Sequence, residues 1–145
     1  MRIYLAGSFN EMYHCRKLAV QLRVAGHEVF CFCDEDTQTY KLSMRVRNGT
    51  EAKDFTPQTA LKNIDVYNIG YADWREIDKS DLVIIALPCG KSAHLEGGYA
   101  KGKGKKVCVF GPMIKGEWDC MYVMADRVFD IPEFEPMVDW IATLG

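Results

Sequence analysis

The run LVIIAL, from Leu82 to Leu87, is the feature that most constrains this chain. It is apolar without alternation, so neither face of a strand built from it can meet water. Strands of this kind belong to parallel sheets covered by helices on both sides. KKVCVFG has the same character, RIYLAG opens the chain in a similar way, and HEVFCFC and ADRVFD read as two further strands. Between them the spacing becomes helical. Cys15, Leu18, Ala19 and Leu22 share one face and stop at Gly26, and the tail PEFEPMVDWIATLG turns Phe134, Met137, Trp140 and Ile141 inward. Strand and helix therefore alternate. The expected class is α/β, a flavodoxin-like (Rossmann-like) three-layer sandwich with a five-stranded parallel sheet of order 2-1-3-4-5, in one domain over residues 1–145.

Composition removes several kinds of function. A formal net charge of −2 gives no basic face for nucleic acid. No apolar stretch approaches a membrane span, and MRIYLAGSF lacks the form of a signal peptide, so neither a membrane partner nor export is expected. The cysteines at 15, 31, 33, 89, 108 and 120 then read as reduced thiols of a cytoplasmic protein. Cys31 and Cys33 are too close for a zinc knuckle and no ligand pair follows them, so no metal is expected, nor any organic cofactor. The cluster KGKGKK, Lys101 to Lys106, reads as a solvated helix end.

From Asp34 to Ala72 the periodic pattern fails. The segment is polar and reads as poor in regular elements, which predicts a lid or binding loop. Its rings, Tyr40, Phe55, Tyr67 and Tyr71, either stack on a base or pack under the loop itself.

In a sheet of this order ligands bind beyond the carboxyl ends of the strands, where the order reverses. That brings the turn Gly7-Ser8-Phe9 beside the turn from Pro88 to Ser92, and the pocket is expected there. The helix that follows carries a glutamate in an unexpected place. With Ser92 as the N-cap, Glu96 shares a face with Ala93, Tyr99 and Ala100, the side that should lie on the sheet. A carboxylate so placed must be paired or sit at a wet pocket wall. The nearby helix start favours its ionised form by about 0.3–1 kcal/mol, and Gly97 and Gly98 leave room beside it. It suits attack on a sugar carbon; equally, it suits a glutamate that serves its own helix N-terminus. Asp73, in YADWREIDKSD, reads as an N-cap with Glu76 completing a capping box, or as a second carboxylate of the pocket. Cys89 and His94 form a candidate thiol–base pair at a helix start, with no third group to orient them.

Taken together, the opening IYLAGSF, the block ADWREIDKSDLVII and the run HLEGGYA resemble the nucleoside 2-deoxyribosyltransferase superfamily. That superfamily includes 2'-deoxynucleoside 5'-phosphate N-hydrolases and CMP N-glycosidases. The likeness covers about residues 1–10 and 70–110. It implies cleavage of the bond between C1' of a sugar and a base nitrogen through a covalent glycosyl-glutamate. Glu96 becomes the nucleophile, Asp73 a partner for base or sugar and a proton donor, and Tyr4 the group that orients the glutamate. Transferases of free nucleosides tend to carry an acidic residue shortly before the nucleophile; here Gly90, Lys91 and Ser92 stand there. A 5'-monophosphate is therefore the expected substrate, held by Ser92, backbone N–H groups near Gly90, and the Gly7-Ser8-Phe9 turn. The other readings are a base-exchanging deoxyribosyltransferase and a non-catalytic nucleotide-binding module. The resemblance also implies a homodimer or higher homo-oligomer, with GEWDCMYVMAD (Gly116 to Asp126) as a candidate interface through Trp118, Met121 and Tyr122.

Overall fold

The computed structural model describes residues 1–145. Its five strands are β1 (Arg2–Ala6), β2 (Glu28–Cys31), β3 (Leu82–Ala86), β4 (Lys106–Phe110) and β5 (Arg127–Phe129). They form one sheet, all parallel, in the order β2-β1-β3-β4-β5. This is the expected flavodoxin-like arrangement. The helices are α1 (Met12–Val24), α2 (Gln38–Asn48), α3 (Pro57–Ala60), α4 (Ile64–Lys79), α5 (Lys91–Gly102) and α6 (Phe134–Ala142).

The period-two geometry of the strands divides the core into two layers. Ile3, Leu5, Leu82, Ile84, Cys108 and Phe110 face α1 and α6, where Leu18, Leu22, Met137 and Ile141 meet them. Tyr4, Ala6, Val83, Ile85, Val107 and Val109 face the other way, toward Ile77 of α4 and Ala93 and Ala100 of α5. All five residues of β3 are buried, as a strand covered on both faces requires. Glycine decides how closely α5 lies on the sheet. A Cβ at Gly97 would come within 2.5 Å of Ile85 Cδ1, so Ala93, Gly97 and Ala100 form the sheet-facing stripe. Gly97 thus serves helix–sheet packing and not, as the sequence suggested, clearance beside Glu96.

The segment 34–72 is helical, in contrast to the loop expected from its pattern. Thr37 caps α2 by accepting from Tyr40 N, and Asn63 caps α4 by accepting from the N–H groups of Asp65 and Val66. α2 then packs along α4. α4 begins at Ile64, so Asp73 lies inside the helix and is no N-cap. Of the rings, Tyr40 packs against the core, whereas Tyr67, Tyr71 and Trp74 form an exposed aromatic row on α4 that continues to Tyr99 of α5.

The lysine cluster after α5 is more engaged than a solvated end. Lys101 pairs with Asp126 at 2.9 Å, and Lys105 donates to the carbonyls of Asp78 and Ser80 at the end of α4. All six cysteines are free thiols. No helix is long and apolar enough to cross a membrane.

Candidate active site

Because the sheet order reverses between β1 and β3, their carboxyl ends leave a crevice, and a cleft of about 530 Å³ occupies it. β1 contributes Tyr4, and the turn after it Gly7, Ser8 and Phe9. The turn after β3 and the start of α5 contribute Gly90, Lys91 and Ser92, and the next turn of α5 brings Glu96. Asp73 enters from α4. The residues to which the resemblance gives catalytic or substrate-binding roles thus line one cavity. The helical segment supplies part of its wall through Ser43, Val46, Arg47, Ala52 and Ile69.

Glu96 lies one step round α5 from the stripe that touches the sheet, turned toward β1 and the cleft. Tyr4 is buried, its ring stacked on Phe30 at 5.3 Å, and its hydroxyl donates to Glu96 Oε2. Burial first, and then the charge of Asp73, push the Glu96 carboxyl up to about 8, while the Tyr4 hydrogen bond pulls the other way. The dipole expectation is corrected here. α5 is capped by Gly90 and begins at Lys91, not after Ser92, so Glu96 stands in the second turn, beyond the reach of the helix pole. Asp73 is pushed up to about 6 by burial; Thr39 Oγ1, donating to Asp73 Oδ1 at 2.6 Å, lowers it, and the charge of Glu76 raises it. The charge of Asp73 couples the two carboxyls, and near neutral pH the proton rests on Glu96, the more strongly raised of the two.

The other end of the cleft has a different character. No side chain caps the first turn of α5, which leaves its N–H groups for a ligand or water. Ser8 Oγ accepts from Asn10 N at 3.2 Å, and its own proton stays free to donate. Lys91 and Arg47 bring positive charge there.

Cys89 and His94 do not make a nucleophile–base pair. The imidazole Nδ1 lies 2.8 Å from the carbonyl oxygen of Gly90, which can only accept, so Nδ1 carries the proton. Nε2 then accepts from the Tyr122 hydroxyl at 2.9 Å. The ring nitrogen near the thiol, at 3.8 Å, has no lone pair for it, and burial followed by the charge of Glu96 pushes Cys89 up to about 11.

Sequence reasoning missed Thr39 and Arg47. Thr39 is separated from Asp73 by α2, α3 and most of α4, and nothing local marks it as a carboxylate partner. Arg47 sits in the last turn of α2, where a basic residue is ordinary.

Solved structures with this architecture include the following two. One is a 2-deoxyribosyltransferase from Bacillus psychrosaccharolyticus, 21% identical, with 89% of this chain and 85% of that chain covered at a TM-score of 0.58. The other is the CMP N-glycosidase BcmB of Clostridium botulinum, 17% identical, with 100% of each chain covered at a TM-score of 0.52. Their fold is this chain's fold. No protein-family model matches the sequence, and no curated protein does.

Proposed function

We propose that this protein is an N-glycosidase of the nucleoside 2-deoxyribosyltransferase superfamily, which releases the free base from a (deoxy)nucleoside 5'-monophosphate. The observation that carries the reading is the pair of desolvated carboxyls, Asp73 and Glu96, which converge from two helices on one cleft. At rest the proton sits on Glu96, the more strongly raised of the two, so attack requires it to move to Asp73; in that form the Tyr4 hydroxyl stabilises the Glu96 carboxylate. Glu96 attacks C1' as the bond to the base nitrogen breaks, and Asp73 gives its proton to the departing base. Water then attacks C1' of the glycosyl ester, losing a proton to Asp73 and freeing Glu96. The two likenesses support this chemistry on this scaffold, and the residues that carry it here come from the cleft.

The test is a screen of nucleosides and their 5'-monophosphates for free base by chromatography. Base release from a monophosphate is expected; silence across all common bases would leave a non-catalytic nucleotide-binding module. The likeness to a deoxyribosyltransferase favours base exchange as the second reading. A new nucleoside formed when a second free base is added would establish it.

The phosphate preference rests on the stretch from Gly90 to Leu95, which has no acidic side chain, and on the uncapped start of α5. Ser92→Ala should lower kcat/KM for the monophosphate by about 10- to 100-fold, because a hydrogen bond to a charged group contributes about 1.5–3 kcal/mol. The free nucleoside, which never made the contact, should change little. Equal use of both substrates by the wild type would reject the phosphate reading, and an equal fall for both would make Ser92 a structural residue.

We also propose a homodimer or larger homo-oligomer in a reducing cytoplasm, which suits the free thiols. Trp118 and Met121 are 79% and 58% exposed, an apolar surface that suits a subunit contact. A fully active monomer in sedimentation at micromolar concentration would reject the oligomer.

A further inference from the structure

The cleft has a carboxylate end and a cationic end, and Arg47 belongs to the second with no role yet assigned to it. Its neighbour on α2, Arg45, turns to the surface and pairs with Asp65 at 3.3 Å. Arg47 turns the other way. Its guanidinium lies over the ring of Phe9, with Cζ 4.4 Å from the ring centroid, and it has no carboxylate within ion-pair distance. Phe9 follows Ser8, so the stack holds the cation beside the turn that the expected phosphate would touch. Stacking uses the face of the guanidinium and leaves its in-plane N–H donors free. A planar fork fixed in this way is organised to grip two oxygens of one anion at once, which the Lys91 ammonium cannot do.

We infer that Arg47 helps to distinguish a 5'-phosphorylated substrate from a free nucleoside, closing over the phosphate from α2 while Ser8, Ser92 and the start of α5 hold it from below. This rests on the proposal that the cleft takes a 5'-monophosphate. It gives segment 34–72 a function as the closing wall of the site, with α2 as its active part. Phe9 is then a positioning residue, since it acts through the arginine.

The experiment measures kcat and KM for a nucleoside and its 5'-monophosphate, beginning with cytidine and CMP, in the wild type and in Arg47→Ala, Arg47→Lys and Phe9→Leu. Arg47 is exposed, so these variants should fold, and thermal melts check that they do. Arg47→Ala should raise KM for the monophosphate by about 10- to 100-fold, with kcat and the nucleoside constants within about threefold of wild type. Arg47→Lys should recover part of the loss, and Phe9→Leu should lose less than Arg47→Ala. Competitive inhibition by inorganic phosphate should weaken in parallel. A wild type that prefers the monophosphate and keeps that preference in Arg47→Ala would overturn the role of Arg47 and leave the phosphate reading intact. A wild type indifferent to the phosphate would overturn the reading itself. Equal losses on both substrates would assign Arg47 to the base or sugar and also overturn the inference.

Discussion

Glu96→Ala is expected to lose at least about a thousandfold in kcat, equivalent to roughly 4 kcal/mol of transition-state stabilisation, while still folding and binding nucleotide. The expectation follows from the position of the side chain. Glu96 projects into the cleft beside the sheet-facing stripe of α5, its oxygen is held by the buried Tyr4 hydroxyl, and no other carboxyl except Asp73 lines the cavity. Loss of activity alone does not separate a nucleophile from a residue that shapes the site. Azide separates them. In Glu96→Ala a small anion can enter the space left by the carboxylate and bond to C1' as the base departs with its proton from Asp73. A glycosyl azide and restored base release are expected, and the same azide added to Asp73→Asn should restore nothing, since no proton donor has been replaced. If Glu96→Ala kept more than about a tenth of wild-type kcat, a loss under about 1.4 kcal/mol, Glu96 would not be the nucleophile.

The parts of the structure that were legible in the sequence are those in which side chains answer to a hydrophobic core. LVIIA, VCVF and IYLA are buried on both faces, and their composition says so directly. α1 and α6 each turn a continuous apolar stripe to the sheet. The cleft followed from topology, because an order that reverses between β1 and β3 has one crevice, and the turns on either side of it can be read off the chain. The helices of segment 34–72 were illegible for a physical reason. The buried residues of α2 are Thr39, Leu42 and Ser43, and two of the three are polar because this helix faces α4 and the cleft, not a core. A search for apolar periodicity finds nothing there. α4 fails in the opposite way. Its rings Tyr67, Tyr71 and Trp74 lie on the exposed side, so the apolar pattern marks the wrong face. The true start signal of α4 was present in Asn63, which caps two N–H groups, but Asp73 with Glu76 three residues on mimics a capping box in mid-helix. Thr39 and Arg47 reach the site only through tertiary contact, with Asp73 and Phe9 respectively, and no local pattern carries such information.

Glu96→Gln should melt at a higher temperature than the wild type in alkaline solution, and at nearly the same temperature in acid. The folded protein holds the Glu96 proton up to about pH 8 against an ordinary value of 4.5, first because of burial and then because of the charge of Asp73. A raised carboxyl pKa means that the native state binds the proton more tightly than the unfolded chain does. The stability this contributes is fully present below about pH 4.5, falls as the unfolded chain ionises alone, and is lost once the folded carboxyl ionises near 8. The full shift would correspond to roughly 5 kcal/mol at about 1.36 kcal/mol per unit. Glu96 is only half-buried and shares its titration with Asp73, so about 2 kcal/mol is the realistic gain on removing the charge, or roughly 5 °C in Tm for a domain of this size. Glutamine still accepts the Tyr4 hydroxyl, so the comparison isolates the charge. Thermal melts of both proteins by circular dichroism, at about pH 5 and pH 8.5, make the measurement. Equal Tm differences at the two pH values would mean that water reaches Glu96 and solvates its charge. The same desolvation underlies the proposed chemistry. A carboxylate that the folded state carries at a cost is relieved of its charge when it becomes an ester at C1', so the destabilisation measured in the melt and the drive toward the covalent intermediate have one origin. A protein that showed no alkaline destabilisation from Glu96 would have to draw its nucleophile's reactivity from elsewhere in the cleft.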